Sequence, residues 1–291
     1  MSEKETEFET KVTDVYWLQS LAPIEGLLES PINVTLSEAT PLVLNPLEWN
    51  LFEILPKKVK LTNNGRTLIV SIRFFDEVPY IVGGPFTDPF KFSQLHFHWG
   101  SNDMEGSEHT VDGFRYPLEM HAVFFSSKYE THEAALEEND GVAIVVYLFK
   151  LHAEKSELID FLLDKLFPIQ NAVSSQKINR LPLKYYLRPF ADDYFLYWGS
   201  IVTTTSTHII LWILPRQPIG VTLEQMDDLR ILFNTEEELM LGNFREIQPK
   251  GKRRLFHICP GTQTHSSMLP VPLRDEKFEL ELQHAAVNIS T

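Results

Sequence analysis

The chain has 291 residues, 43% hydrophobic and 23% charged, a globular composition that excludes a disordered or fibrous protein. Its 40 acidic against 26 basic residues leave a formal charge of −14, which repels phosphate backbones and argues against nucleic-acid binding. The single cysteine, Cys259, cannot close an intrachain disulfide; no apolar run approaches the ~18 residues of a membrane span, and the start MSEKETEFETKVTD lacks a signal-peptide pattern. A cytoplasmic protein without a membrane span is expected.

Residues 1–28 lack clear periodicity and read as an N-terminal arm. Strand signals follow. Leu68–Phe74 is rich in β-branched residues and comes after the turn cluster Asn63-Asn64-Gly65; Phe90–His98 is a second candidate. Gly83-Gly84-Pro85, between them, is turn punctuation. Leu118–Phe125, Gly141–Lys150 and Ile209–Ile213 read as three more strands, the last two as continuous apolar runs suited to a buried sheet. Two helices are predicted. Ser156–Leu166 has Leu158, Phe161, Leu162 and Leu166 on one stripe with Ser156 as N-cap, and Thr222–Phe233 opens with the capping-box pattern Thr222-x-x-Gln225. The basic run Lys250–Arg254 reads as a solvated edge, and residues 261–291 turn polar and read as a C-terminal tail. The expected fold is mainly β with short peripheral helices, a single domain over residues 29–260.

Three of the ten histidines stand out by spacing. His96 and His98 are two apart in a strand, so both side chains leave on one face; His121 lies in the next strand-like run, EMHAVFF. Three neutral imidazoles from two strands can hold Zn2+ and leave its fourth tetrahedral position open, the arrangement of a catalytic rather than a structural zinc. A single strand histidine is more often a packing residue. Gln94 and Glu119 raise the odds, because each shares a face with its neighbouring histidine and is placed to accept the outer imidazole N–H of His96 and His121. A cupin-type metal oxygenase also uses H-x-H on a strand but needs a glutamate separated from the second histidine by three or four residues, positions where this chain has Asn102 and Asp103.

The segments QLHFHWGS (Gln94–Ser101), GSEHTVDG (Gly106–Gly113) and LEMHAVFF (Leu118–Phe125) together resemble the zinc centre of the α-type carbonic anhydrases. ESPINV (Glu29–Val34), NNG (Asn63–Gly65), YWGS (Tyr197–Ser200), LWI (Leu211–Ile213) and GNFR (Gly242–Arg245) continue the likeness in order, over about residues 29–260. The resemblance implies a twisted, mostly antiparallel sheet of about ten strands with zinc at the bottom of a conical cleft. It also implies reversible hydration of CO2 to bicarbonate and a proton by a zinc-bound hydroxide. Val123, Ile144, Ile201 and Trp212 would form the apolar wall that holds CO2, and Glu108 would be the glutamate that orients a threonine, which in turn orients the hydroxide.

The chain departs from that pattern at two functional positions. Val202 stands where the family has its hydroxide-orienting threonine, and a valine offers no hydroxyl; a one-residue bulge would bring Thr203 into the role. Arg66 stands where the family has its proton-shuttling histidine, and a guanidinium stays protonated at physiological pH. The expectation is a zinc carbonic anhydrase working at reduced rate. The alternative is a catalytically silent relative that acts as a protein-binding module, with the 261–291 tail as the partner surface.

Overall fold

In a computed structural model, the described residues are 28–203 and 206–259. The expected arm, apart from Leu28, and the expected tail lie outside them; Leu28 itself is buried.

The first half of the domain holds ten strands: β1 (Asn33–Val34), β2 (Thr40–Leu42), β3 (Leu47–Asn50), β4 (Lys58–Asn63), β5 (Leu68–Arg73), β6 (Tyr80–Gly83), β7 (Phe86–Trp99), β8 (Thr110–Val111), β9 (Phe114–Arg115) and β10 (Leu118–Ser126). A short helix, α1 (His132–Leu136), leads to β11 (Val142–Leu151) and then α2 (Glu157–Leu163). The chain ends with β12 (Ser174–Ile178), β13 (Tyr194–Val202), β14 (Thr207–Pro215), β15 (Ile219–Val221), α3 (Leu223–Leu229) and β16 (Phe256–Ile258). Thirteen strands form one sheet, whose main path is β12-β4-β5-β7-β10-β11-β14-β13-β16-β2. Most pairings are antiparallel; β11 with β14, β11 with β15 and β16 with β2 are parallel. The mainly β expectation holds.

The central strands are apolar on both faces because both faces are covered. Along β11, Ala143, Val145, Tyr147 and Phe149 enter the larger core, while Val142, Ile144, Val146 and Leu148 enter a smaller one on the opposite side. This alternation explains the uninterrupted apolar run. β7 is subtler. Phe90 and Phe92 share the larger core with Leu95, Phe97 and Trp99, although their positions differ in parity. A register shift opposite Val123/Phe124 absorbs one residue, so both halves of β7 present aromatic side chains to the core.

Both predicted helices form, and each is shorter than its apolar stripe. Ser156 Oγ accepts from Ile159 N, and Thr222 with Gln225 makes the predicted capping box. Gln225 also bonds Ser156 O at 2.9 Å and Asp160 Oδ1 at 2.6 Å, tying α3 to α2. Past α3, Phe233 leaves the helix to bridge Leu239. The basic run is not wholly solvated: Lys250 pairs with Glu38 at 2.6 Å, and Arg253 is buried, with its guanidinium donating to the Lys250 and Pro249 carbonyls.

At the far end of the sheet, Asp193 joins β13, β14 and β16. Its Oδ1 accepts from Arg216 Nη1 at 3.2 Å and lies 2.9 Å from His257 Nε2. Burial acts to raise the Asp193 pKa, but the bonds from His257 and Arg216 outweigh it and hold the carboxyl below its usual value. A depressed carboxylate stabilises the fold above its unfolded pKa and loses that effect as pH falls through the folded one. Asp193→Asn, which tolerates the left-handed backbone at φ 58°, is therefore expected to cost about 1 kcal/mol at neutral pH. Thermal melts of the two proteins should converge as pH drops below the ordinary aspartate range.

Candidate metal centre

The register of β7 against β10 builds the site. His96 lies directly opposite His121, and His98 directly opposite Glu119. Antiparallel partners project to the same face, so all four side chains meet on the side of the smaller core. The three imidazole rings form a closed triangle, with centroids 5.0 Å apart for His96–His121, 5.2 Å for His96–His98 and 4.6 Å for His98–His121. His96 Nε2 lies 3.3 Å from His121 Nδ1, about the separation of two nitrogens sharing a tetrahedral Zn2+ at about 2.0–2.1 Å. His98 Nε2 is buried without any hydrogen-bond partner, which a ligating role explains and a packing role does not. The donor set, three imidazoles on a cleft wall, fits Zn2+ with an open position.

The outer nitrogens are held by acceptors. His121 Nε2 lies 2.5 Å from Glu119 Oε1, so the glutamate leaves Nδ1 free to face the other histidines. Glu119 is fully buried and also accepts from His109, at 2.8 Å from its backbone N and 2.7 Å from its Nδ1. His109 Nε2 continues the chain to the Tyr197 hydroxyl at 2.7 Å, and that oxygen lies 3.1 Å from Ser30 Oγ. His109, Glu119 and His121 also lie within ligating distance of one another, but those nitrogens already serve Glu119 and Tyr197; the trio supports the site and does not form a second one. His98 Nδ1 lies 3.3 Å from Asn243 O and 3.2 Å from Glu108 Oε1.

The electrostatics follow from this wiring. Burial, reinforced by the two neighbouring imidazoles, pushes the His96 pKa well below its ordinary value. Burial likewise lowers His98, against the pull of Glu108. His121 goes the other way: burial opposes its charge, but the bond and charge of Glu119, with Glu108 adding, raise its pKa. Glu119 stays ionised despite burial because His109 and His121 hold its pKa well below the usual glutamate range. Burial thus favours the neutral, ligating form at His96 and His98, while at His121 the Glu119 carboxylate holds a proton on the outer nitrogen.

The triad stands in a cavity of about 610 Å³ that Val123, Ile144, Ile201, Val202 and Trp212 line on the apolar side. Glu29, Glu108, Gln94, His132 and Arg245 contribute polar groups. Gly199 lies against the Trp212 indole and Ser30, where any Cβ would meet Ser30 Oγ at 2.1 Å; only glycine lets the wall close.

The profile of the eukaryotic-type carbonic anhydrases matches residues 13–259. Carbonic anhydrase 3 of Mus musculus is 37% identical over 201 residues, covering 66% of this chain and 75% of that protein. Carbonic anhydrase 7 of Mus musculus is 35% identical over 240 residues, covering 80% and 89%. Carbonic anhydrase 3 of Bos taurus is 33% identical over 243 residues, covering 81% and 92%. The chain belongs to the carbonic anhydrase family.

Within that family frame, several expected contacts are absent or altered. Gln94 lines the cavity, but its Oε1 is buried without a partner, so the expected bond to His96 is not made here. Glu108 accepts from Arg245 N at 3.0 Å, and among the described residues no hydroxyl donates to it. Val202 faces the cleft with 57% exposure. Thr203 is corrected outright. It sits in the β13–β14 turn, where Val202 still pairs with Thr207, so no bulge carries it into the cleft. Its hydroxyl instead donates to Ser206 O at 3.1 Å, accepts from Ser206 N at 3.2 Å and lies 3.4 Å from His208. Arg66 is exposed and lines a neighbouring depression of about 470 Å³ with Leu239 and Leu241, outside the cleft.

Sequence reasoning missed His109, Asn243 and His132. His109 stands in the quoted GSEHTVDG, and Asn243 in GNFR, but only the fold carries them to Glu119 and His98. His132, the first residue of α1, lines the cleft with its Nε2 buried and unpartnered. Burial keeps its pKa below the ordinary histidine value, aided by His208 and opposed by Glu133.

Glu119→Gln should lower zinc affinity by about 10–100-fold, read by competition with a chelator, because the amide cannot hold His121 in the ligating tautomer as an anion does. A variant that keeps wild-type affinity while remaining folded would remove the role given to Glu119.

Proposed function

We propose that this carbonic anhydrase family member catalyses the zinc-dependent, reversible hydration of CO2 to bicarbonate and a proton, at a rate reduced by its own departures from the family pattern. The observation that carries the proposal is the convergence of His96, His98 and His121, with His98 Nε2 buried and lacking any protein partner. Zinc held by His96, His98 and His121 would lower the pKa of a bound water to about 7 and so supply hydroxide at neutral pH. Val123, Ile144, Ile201 and Trp212 give CO2, which offers no hydrogen-bond donor, an apolar surface beside the triad. Residues 29–260 would be the working domain. A cytoplasmic location is proposed on the free Cys259, in keeping with a reducing compartment.

The reduction in rate is argued from Glu108 and Val202. A hydroxyl between a buried carboxylate and the reacting oxygen fixes that oxygen's orientation before reaction. Here Glu108 is turned to Arg245 N and His98, and the neighbouring wall carries a valine. Losing one preorganised hydrogen-bonding group at a reacting centre costs about 10²–10³ in rate. Arg66 cannot relay protons, and among the cleft-lining residues His132 is the one imidazole outside the triad. Burial holds its pKa below the ordinary histidine value, so it is a poor proton acceptor and the cleft lacks an efficient relay.

Stopped-flow CO2 hydration by the zinc-loaded protein should exceed that of a His98→Ala control, and Val202→Thr should raise kcat by about tenfold or more at unchanged zinc content. Wild-type rates equal to the control, with zinc bound, would instead favour the silent binding-module reading that Val202 also suits.

A further inference from the structure

The sheet that carries the triad ends in a cluster of cations that the proposed chemistry does not use. Along β4, Lys58 and Lys60 project from one face; Lys58 lies opposite Arg73 of β5, and Lys60 opposite Lys177 of β12. Lys58, Lys60, Ser71 and Arg73 line a groove of about 420 Å³. Lys60 and Ser71 are in the same cross-strand row as Gln94 and Val123, so this face continues the wall of the cleft. Like charges placed opposite one another weaken a sheet. Among the described residues none of these four cations has a carboxylate within ion-pairing distance, in a chain whose formal charge is −14.

One segment of the chain has the complementary pattern. Glu3, Glu5, Glu7 and Glu9 alternate with other residues, so an extended backbone would put all four carboxylates on one face at steps of about 6.6–6.8 Å. Lys58 and Lys60 share that step along β4. The segment precedes residue 13, where the family match begins. Nineteen residue steps separate Glu9 from Leu28, the first described residue, so their fully extended limit is about 60 Å, more than the about 45 Å diameter expected for a domain of this size.

We propose that the acidic segment Glu3–Glu9 docks on the cationic sheet face formed by Lys58, Lys60, Arg73 and Lys177 of the same chain. Lys58, Arg73 and Lys177 are exposed, so the attraction is screened by salt. The inference is independent of the proposed activity.

The test is zero-length carbodiimide cross-linking of the full zinc-loaded chain at low ionic strength, mapped by mass spectrometry. Amide links from Glu3, Glu5, Glu7 or Glu9 to Lys58, Lys60 or Lys177 are expected, within one chain and lost in about 1 M salt, where the Debye length is about 3 Å. Links only to other lysines overturn the proposal. So do links between chains in a mixture of isotopically labelled and unlabelled protein, which would mean docking on a second copy. As a second readout, the amide resonances of Lys58–Thr62 and Ser175–Lys177 should differ between wild type and a variant with the four glutamates replaced by glutamine, and coincide at high salt. Identical spectra at low salt would also overturn it.

Discussion

The pairing of β7 with β10 is the constraint on which the rest of the molecule depends. Opposing His96 to His121 and His98 to Glu119 puts three imidazoles and the carboxylate that orients one of them onto a single face. A slip of one residue in either strand would send that strand's groups to the aromatic core. The large core prevents it: Phe97, Trp99, Met120 and Ala122 occupy the opposite face and are fully buried, so the register that makes the site is also the one that buries the aromatic side chains. Stability and site geometry are here the same interaction seen from two sides of the sheet.

The supporting shell spends buried charge to gain orientation. Glu119, fully enclosed, is an expensive group that persists because His109 and His121 both bind it. The result is an asymmetric triad: His96 and His98 pushed toward neutrality by burial, His121 held with its proton on the nitrogen that faces away. This preparation for a cation is intact. Beside it, Glu108 meets the Arg245 backbone and the His98 imidazole, and among the described residues no hydroxyl donates to it. In the proposed reading metal binding and catalytic power are separable, the first resting on the three histidines and the second on a hydroxyl beside them.

Much was legible without coordinates because it depends on short-range pattern. The H-x-H spacing put two imidazoles on one strand face, since strand side chains alternate with period two, and Glu119 followed His121 by the same rule. The capping residues Ser156 and Thr222 marked helix starts, because a side-chain oxygen satisfies a free N–H locally. The family resemblance rested on such segments taken in order. The absence of a hydroxyl at Val202 and the loss of a titrating group at Arg66 were likewise visible as residue types.

What the amino-acid order determined by itself was which histidines and carboxylates share a strand face. Tertiary structure alone decided which partners met across long separations: Asn243 and Glu108 at His98, His109 between Glu119 and Tyr197, and His132 in the cleft wall. It also decided that Thr203 closes a turn and that Gln94 lacks its expected bond. The physical reason is that these contacts depend on the packing of distant strands and on one absorbed residue in β7, and neither leaves a periodic trace in the chain.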